Sequence, residues 1–158
     1  MKKHLFLILT GLVIYTQVLA QSKKVIKAQK LKTITTTKTE NNKTINESKI
    51  TYDKDGNEIE IVNYNKEGLI KSIHKLKHNS EGDEIEDLEY DATNSLIEKK
   101  TTKYSLIGVK TEELFFDASG KQTKKNTYTY DSKGLKTERK TIDATGKIIS
   151  TRQYTYSK

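Results

Sequence analysis

The sequence predicts an all-β protein: an antiparallel meander of about ten strands built from 26-residue hairpin repeats, forming an open or coiled, largely single-layer sheet. Three observations predict it. Starting from Tyr52, an interval of 26 residues reaches His78, Tyr104, Tyr130 and Tyr156, while Gly56 is followed at the same interval by Gly82, Gly108 and Gly134. A second series is interleaved: Tyr64, Tyr90, Phe116 and Ile142, each followed four residues on by Gly68, Asn94, Gly120 and Gly146. The third observation is compositional, since Thr, Ile and Tyr are abundant and the 158 residues include no proline, which suits uninterrupted strands. A fixed period of this length is the mark of a repeat architecture.

The first element is Met1-Lys2-Lys3-His4 followed by the apolar run Leu5 to Ile14 and by Val18-Leu19-Ala20. A basic start, a short apolar stretch and a small-residue site read as a secretory signal peptide over residues 1–20. Thr10, Gly11, Thr16 and Gln17 interrupt a run already shorter than the roughly 20 residues a membrane span needs, so no span is expected after cleavage. No cysteine follows to carry a lipid or a disulfide. The mature protein is expected to be exported, either periplasmic or extracellular.

Residues 21–32 form a polar, lysine-rich lead-in in which Val25, Ile26, Ala28 and Leu31 are too sparse to announce a helix. The repeat domain is assigned to residues 33–158. Its apolar content is low: Leu, Ile, Val and Phe number 27 between residues 21 and 158, at the edge of the roughly 20% below which chains stay disordered. A thick two-layer core is therefore not expected, and a packed sandwich or small barrel is the alternative. The net charge of +8 resides in Lys2, Lys3 and residues 21–50, because residues 51–158 hold 19 basic and 19 acidic side chains. With no arginine cluster and an export signal, nucleic acid is not an expected partner.

From Thr33 the run Thr33-Ile34-Thr35-Thr36-Thr37-Lys38-Thr39 favours a strand, and Asn42, 26 residues before Gly68, marks a degraded first copy of the unit. Thereafter each glycine closes a four-residue turn, as in Asp53-Lys54-Asp55-Gly56, Asp117-Ala118-Ser119-Gly120 and Asp131-Ser132-Lys133-Gly134. Asp or Asn at the first position caps the turn and Gly at the fourth takes positive φ, the signature of a type I turn with a G1 bulge. Even-numbered positions collect the bulk (Ile50 and Tyr52, Val62 and Tyr64, Leu76 and His78, Leu114 and Phe116, Tyr128 and Tyr130, Tyr154 and Tyr156). On that numbering they share one face as two aromatic ladders, one along each margin.

These aromatic-Asp-x-x-Gly turns, best seen in Tyr52-Asp53-Lys54-Asp55-Gly56 and Tyr130-Asp131-Ser132-Lys133-Gly134, resemble the tyrosine-aspartate (YD, Rhs-type) repeats of bacterial secreted and surface proteins. They also look like small uncharacterised exported repeat proteins of Gram-negative bacteria. The resemblance spans roughly residues 50–158 and implies a β-repeat fold with a surface or binding role. Encapsulation of a toxin, a property of the large Rhs proteins, is not among its implications.

Chemistry is sparse. With no cysteine, a nucleophile would need Ser beside His, and His74 and His78 are the histidines beyond the signal; four residues apart on a strand they stand about 13 Å apart, too far to share a metal. In Asp53-Lys54-Asp55-Gly56 the glycine is fourth, not sixth as in an EF-hand loop, and turn capping accounts for both Asp53 and Gly56. The glutamate pairs Glu58/Glu60 and Glu84/Glu86 recur with the repeat and read as a solvated face rather than a glycosidase dyad. No catalytic residue, cofactor or metal is expected. The candidate binding surface comprises the turn residues Leu106 and Ile107, aliphatic where other copies are polar, and the ladder residues Tyr128, Tyr130, Tyr154 and Tyr156. The expected role is non-enzymatic, with a protein or glycan of the cell envelope as partner, or self-association through edge strands.

Overall fold

The computed structural model describes residues 22–157, so the signal assignment lies outside the described residues. After a short helix α1 (Lys23–Ala28), ten strands follow: β1 (Thr33–Glu40), β2 (Lys43–Tyr52), β3 (Glu58–Tyr64), β4 (Ile70–His78), β5 (Glu84–Tyr90), β6 (Leu96–Tyr104), β7 (Lys110–Asp117), β8 (Gln122–Tyr130), β9 (Lys136–Asp143) and β10 (Ile148–Gln153). They form one sheet in strict sequence order, every neighbour antiparallel. β1 pairs with β2 and β10 with β9, not with each other, so the sheet is open.

The turns form as their residues dictate. In the β2–β3 turn Asp53 N–H donates to the Asn57 carbonyl (2.9 Å) and Gly56 N–H to the Asp53 carbonyl (3.2 Å). The same two main-chain bonds recur in the turns beginning at Asn65, Asn79, Asp91, Ser105, Asp117, Asp131 and Asp143. Where the first residue is Asp, as at Asp131, its Oδ1 accepts from the N–H groups two and four residues on, at 2.9 Å each. Gly56 at φ 79° and Asn94 at φ 63° occupy the left-handed position that glycine and asparagine tolerate. The β1–β2 turn differs: Asn41 (φ 50°) and Asn42 (φ 61°) are both left-handed, making a two-residue type I′ turn, and the bulge moves inside the strand pair between Thr36 and Thr37.

The bulge corrects the expectation of one bulky face. It adds a residue to one strand of each hairpin, so beyond it an even-numbered residue faces an odd-numbered partner: Ile50 opposite Ile61, Leu76 opposite Asp87, Tyr128 opposite Arg139. Even positions of β2, β4, β6 and β8 therefore share one side, the Leu76 face. Even positions of β3, β5, β7 and β9 share the other, the Leu88 face. The two aromatic ladders do run along opposite margins, but on opposite faces. Tyr64, Tyr90 and Phe116 lie on the Leu88 face, and Tyr104, Tyr130 and Tyr156 on the Leu76 face.

Among the described residues the buried hydrophobic side chains are Ile26 at 1% exposure and Leu76 at 8%. The fold is a single layer held by strand-to-strand contacts between neighbours, in the manner of repeat proteins.

Candidate functional site

α1 forms within the lysine-rich residues 21–32, whose apolar residues are too sparse to announce a helix. Ser22 caps it by accepting from Val25 N–H at 3.4 Å. It ends in a Schellman closure, with Leu31 N–H donating to the Ile26 carbonyl (3.0 Å), Lys30 N–H to the Lys27 carbonyl (3.2 Å), and Lys30 at φ 51°. Six residues are marginal as an isolated helix; docking of Ile26 holds this one, worth about 1.5–3 kcal/mol for a buried aliphatic. Ile26 lines a cleft with Tyr52, Gly56, Leu76, His78 and Gly82. The packing is close enough that a Cβ on Gly56 would meet the Lys23 carbonyl at 2.8 Å.

The docking place is a break in the repeat. On the three later copies of this margin a tyrosine hydroxyl donates to the main-chain carbonyl 20 residues back: Tyr104 to Glu84 at 3.0 Å, Tyr130 to Lys110 at 2.7 Å and Tyr156 to Lys136 at 2.9 Å. His78 replaces the tyrosine and makes no such bond among the described residues. At the position two before it, Ile50 and Leu76 are apolar where the later copies have Thr102, Tyr128 and Tyr154. The helix lies against these two apolar copies, with Ile26 beside Tyr52, Leu76 and His78. The histidine at residue 78 and the aliphatics at 50 and 76 are visible in the sequence and were the available signal for a covering element.

Beyond the helix the Leu76 face carries a polar track. Asn63 Nδ2 donates to Ser72 Oγ at 3.2 Å, and His74 Nδ1 lies 3.0 Å from Asp87 Oδ1. Lys100 reaches Glu84 at 2.8 Å and Asp87 at 3.3 Å; burial alone would lower its pKa, but these carboxylates outweigh that and raise it. Further along, Glu113, 8% exposed, accepts from Lys110 (2.6 Å), Asn126 (2.9 Å) and Tyr128, and Asn126 accepts from Thr141 at 2.8 Å. Burial opposes ionisation of Glu113, yet the hydrogen bonds from Asn126, Lys110 and Tyr128 outweigh it and hold the pKa at about 2. The Tyr128 phenol is pushed well up by burial and by donating to that carboxylate. Thr102 Oγ1 and Arg139 Nε are buried without partners.

These contacts define what the candidate residues do. Tyr128 belongs to the Glu113 cluster, with Lys136 Nζ 4.8 Å above its ring, and Tyr130 is half-buried on its backbone latch. Tyr154 shares Lys136 at 5.6 Å, and Tyr156 is latched but 56% exposed. Leu106 and Ile107 are 108% and 80% exposed, and nothing lies within 4 Å of a Cβ built on Gly108. The turn tip thus projects free of neighbouring elements, and the structure does not bring it together with the four tyrosines into one pocket.

The histidine and glutamate pairs separate. His74 pairs with Asp87, whereas His78 lines the α1 cleft. Glu84 bonds Lys100, but Glu86 bonds Lys77 and Lys99, each at 2.7 Å. At the Asp53 turn the carboxylate takes Asp55 N–H (2.8 Å), Asn57 N–H (2.9 Å) and Asn57 Nδ2 (2.8 Å), as capping requires. No group of three or more His, Asp or Glu among the described residues is placed to hold a metal ion. No helix there is long and apolar enough to cross a membrane.

No protein-family model and no curated protein matches the chain. Among solved structures it is similar to a protein of unknown function from Bacteroides fragilis NCTC 9343, with a TM-score of 0.43 and 13% identity, covering 80% of this chain and 96% of that one.

Proposed function

We propose that this is an exported, non-enzymatic binding or scaffold protein of the cell envelope. The carrying observation is the Leu106–Ile107 tip: two aliphatic side chains at 108% and 80% exposure, raised on a hairpin whose flanking strands are fixed by ladder pairing on both sides. Exposed aliphatics of this kind serve as docking points. The signal-like residues 1–20 and the resemblance of the turns to tyrosine-aspartate repeats support the same reading. In fractionation of a Gram-negative host, the mature chain should begin at Gln21 and leave the cytoplasm. It should also co-sediment with isolated envelope material, and the double change Leu106→Asp/Ile107→Asp should abolish that retention. Equal retention of the double variant would contradict a docking role for the tip.

A second reading, strand-pairing assembly, is favoured by a separate observation. The outer edges of β1 and β10 are unpaired in the sheet order, β10 exposes Ile148 at 51% and Ile149 at 57%, and no proline blocks either edge. Size that grows with concentration in gel filtration would support it, and a constant monomer would count against it.

A further inference from the structure

A cleft of about 850 Å³ opens between α1 and the β2–β5 hairpins. That volume lies in the range of small-molecule sites. Its floor is apolar: Ile59 on β3, Leu76 on β4 and Ile85 on β5, which strand alternation places on the same face. Ile59 and Ile85 keep 39% and 37% exposure. Its rim is basic, and most of the charge around it is already matched. Lys27 is held by Asp55 at 2.9 Å and Lys77 by Glu86 at 2.7 Å. Asp53 is occupied by the donors of its own turn.

Lys23 and Lys24 also line the cleft, and neither has a carboxylate partner among the described residues. Asn57 Oδ1, on the same wall, is a buried acceptor without a donor. Lys23, whose Nζ lies against Gly82 beside Asn57 Oδ1, and Lys24 thus line, without carboxylate partners, the same cleft as three aliphatic side chains, an arrangement that suits a ligand with an apolar body and one anionic end.

We propose that this cleft binds a small anionic amphiphile, a linear acyl chain ending in a carboxylate. The chain lies on Ile59, Leu76 and Ile85, and the carboxylate faces Lys23 and Lys24. The inference rests on the binding reading above and names a ligand class for it. Each further methylene laid on the floor should tighten binding about fourfold until the floor is filled.

Titration calorimetry of the mature chain with sodium dodecanoate below its micellar concentration tests this, with hexanoate and the neutral dodecyl maltoside as comparisons. Saturable binding of about one dodecanoate is expected, at least tenfold tighter than either comparison. Ile85→Asp and Lys24→Glu change exposed side chains and should each weaken it tenfold or more, with unchanged far-ultraviolet dichroism. Absence of saturation, equal affinity for the neutral amphiphile, or unaltered binding by both variants would overturn the assignment. If dodecanoate fails while the Leu106–Ile107 tip still retains the protein on envelope material, the cleft assignment falls and the binding role stands.

Discussion

The Tyr130 hydroxyl donates to the main-chain carbonyl of Lys110 at 2.7 Å, reaching from the end of β8 to the start of β7. The tyrosine that sets the 26-residue period thereby ties its strand end to the start of the preceding strand, and burial raises the pKa of its phenol. This explains why the period is kept in an open sheet with little core. Replacing Tyr130 with Phe removes the donor and little else. Urea unfolding should show a loss of about 1 kcal/mol, with the same loss for Tyr104→Phe. Unchanged midpoints for both variants would mean that the ring packing alone maintains the period.

Glu113 is one of several carboxylates, with Asp53, Glu86 and Asp117 among them, whose lowered pKa ties stability to acid pH. Its folded pKa of about 2 lies below the ordinary 4.5, so between these values the unfolded chain binds the proton that the fold refuses. Stability from this group is fully present above about pH 4.5 and is lost as pH falls through about 2, a span worth about 3 kcal/mol. Glu113→Gln should cost about 2 kcal/mol at pH 7, where Lys110 loses its charged partner. It should also reduce the fall of stability across that acid window, leaving the part due to the other lowered carboxylates, which urea midpoints between pH 2 and 5 measure directly.

Gly56 and Gly134 separate helix docking from turn geometry. Both are left-handed, at φ 79° and 77°, but a Cβ on Gly56 meets the Lys23 carbonyl at 2.8 Å while nothing lies within 4 Å of one on Gly134. Gly134→Ala should cost only the backbone term, about 1–2 kcal/mol. Gly56→Ala should cost more and should free α1, raising amide exchange at Gln29, Lys30 and Leu31 while the β6–β9 ladder stays protected. Equal costs, with α1 still protected, would show that the helix does not rest on that turn.

Much of this was legible in the sequence because the repeat is a property of spacing. The Asp-x-x-Gly turns fixed where each hairpin reverses, and the interval between glycines fixed strand lengths, so ten strands in sequence order followed. Which face each residue takes was not read correctly, although the responsible feature was: the G1 bulge at each turn from Asp53 onward adds one residue and reverses parity, separating Tyr64 from Tyr52. The helix was missed because Lys30, not glycine, takes its left-handed closing position and six residues are too few to show periodicity. The polar track from His74 to Asn126 was hidden because, although His74, Lys100 and Asn126 and likewise Asp87 and Glu113 keep the 26-residue interval, the residue type changes at each copy and the partners come from neighbouring strands. Of the candidate surface, the Leu106–Ile107 tip was legible as a departure from polar copies. The hydroxyl latches of Tyr130 and Tyr156 depend on reach to a neighbouring strand, which sequence order does not display.

The most direct test of the open, single-layer sheet is small-angle X-ray scattering of the mature chain, with circular dichroism to establish strand content. Ten strands at about 4.8 Å spacing extend on the order of 45 Å across the sheet, and a compact domain of this length has a radius of gyration of about 14 Å. A strand-rich monomer with a radius clearly above that value and an elongated distance distribution is the predicted result. A strand-rich monomer at about 14 Å with a symmetric distribution would mean that the sheet closes or folds over on itself, contradicting the account.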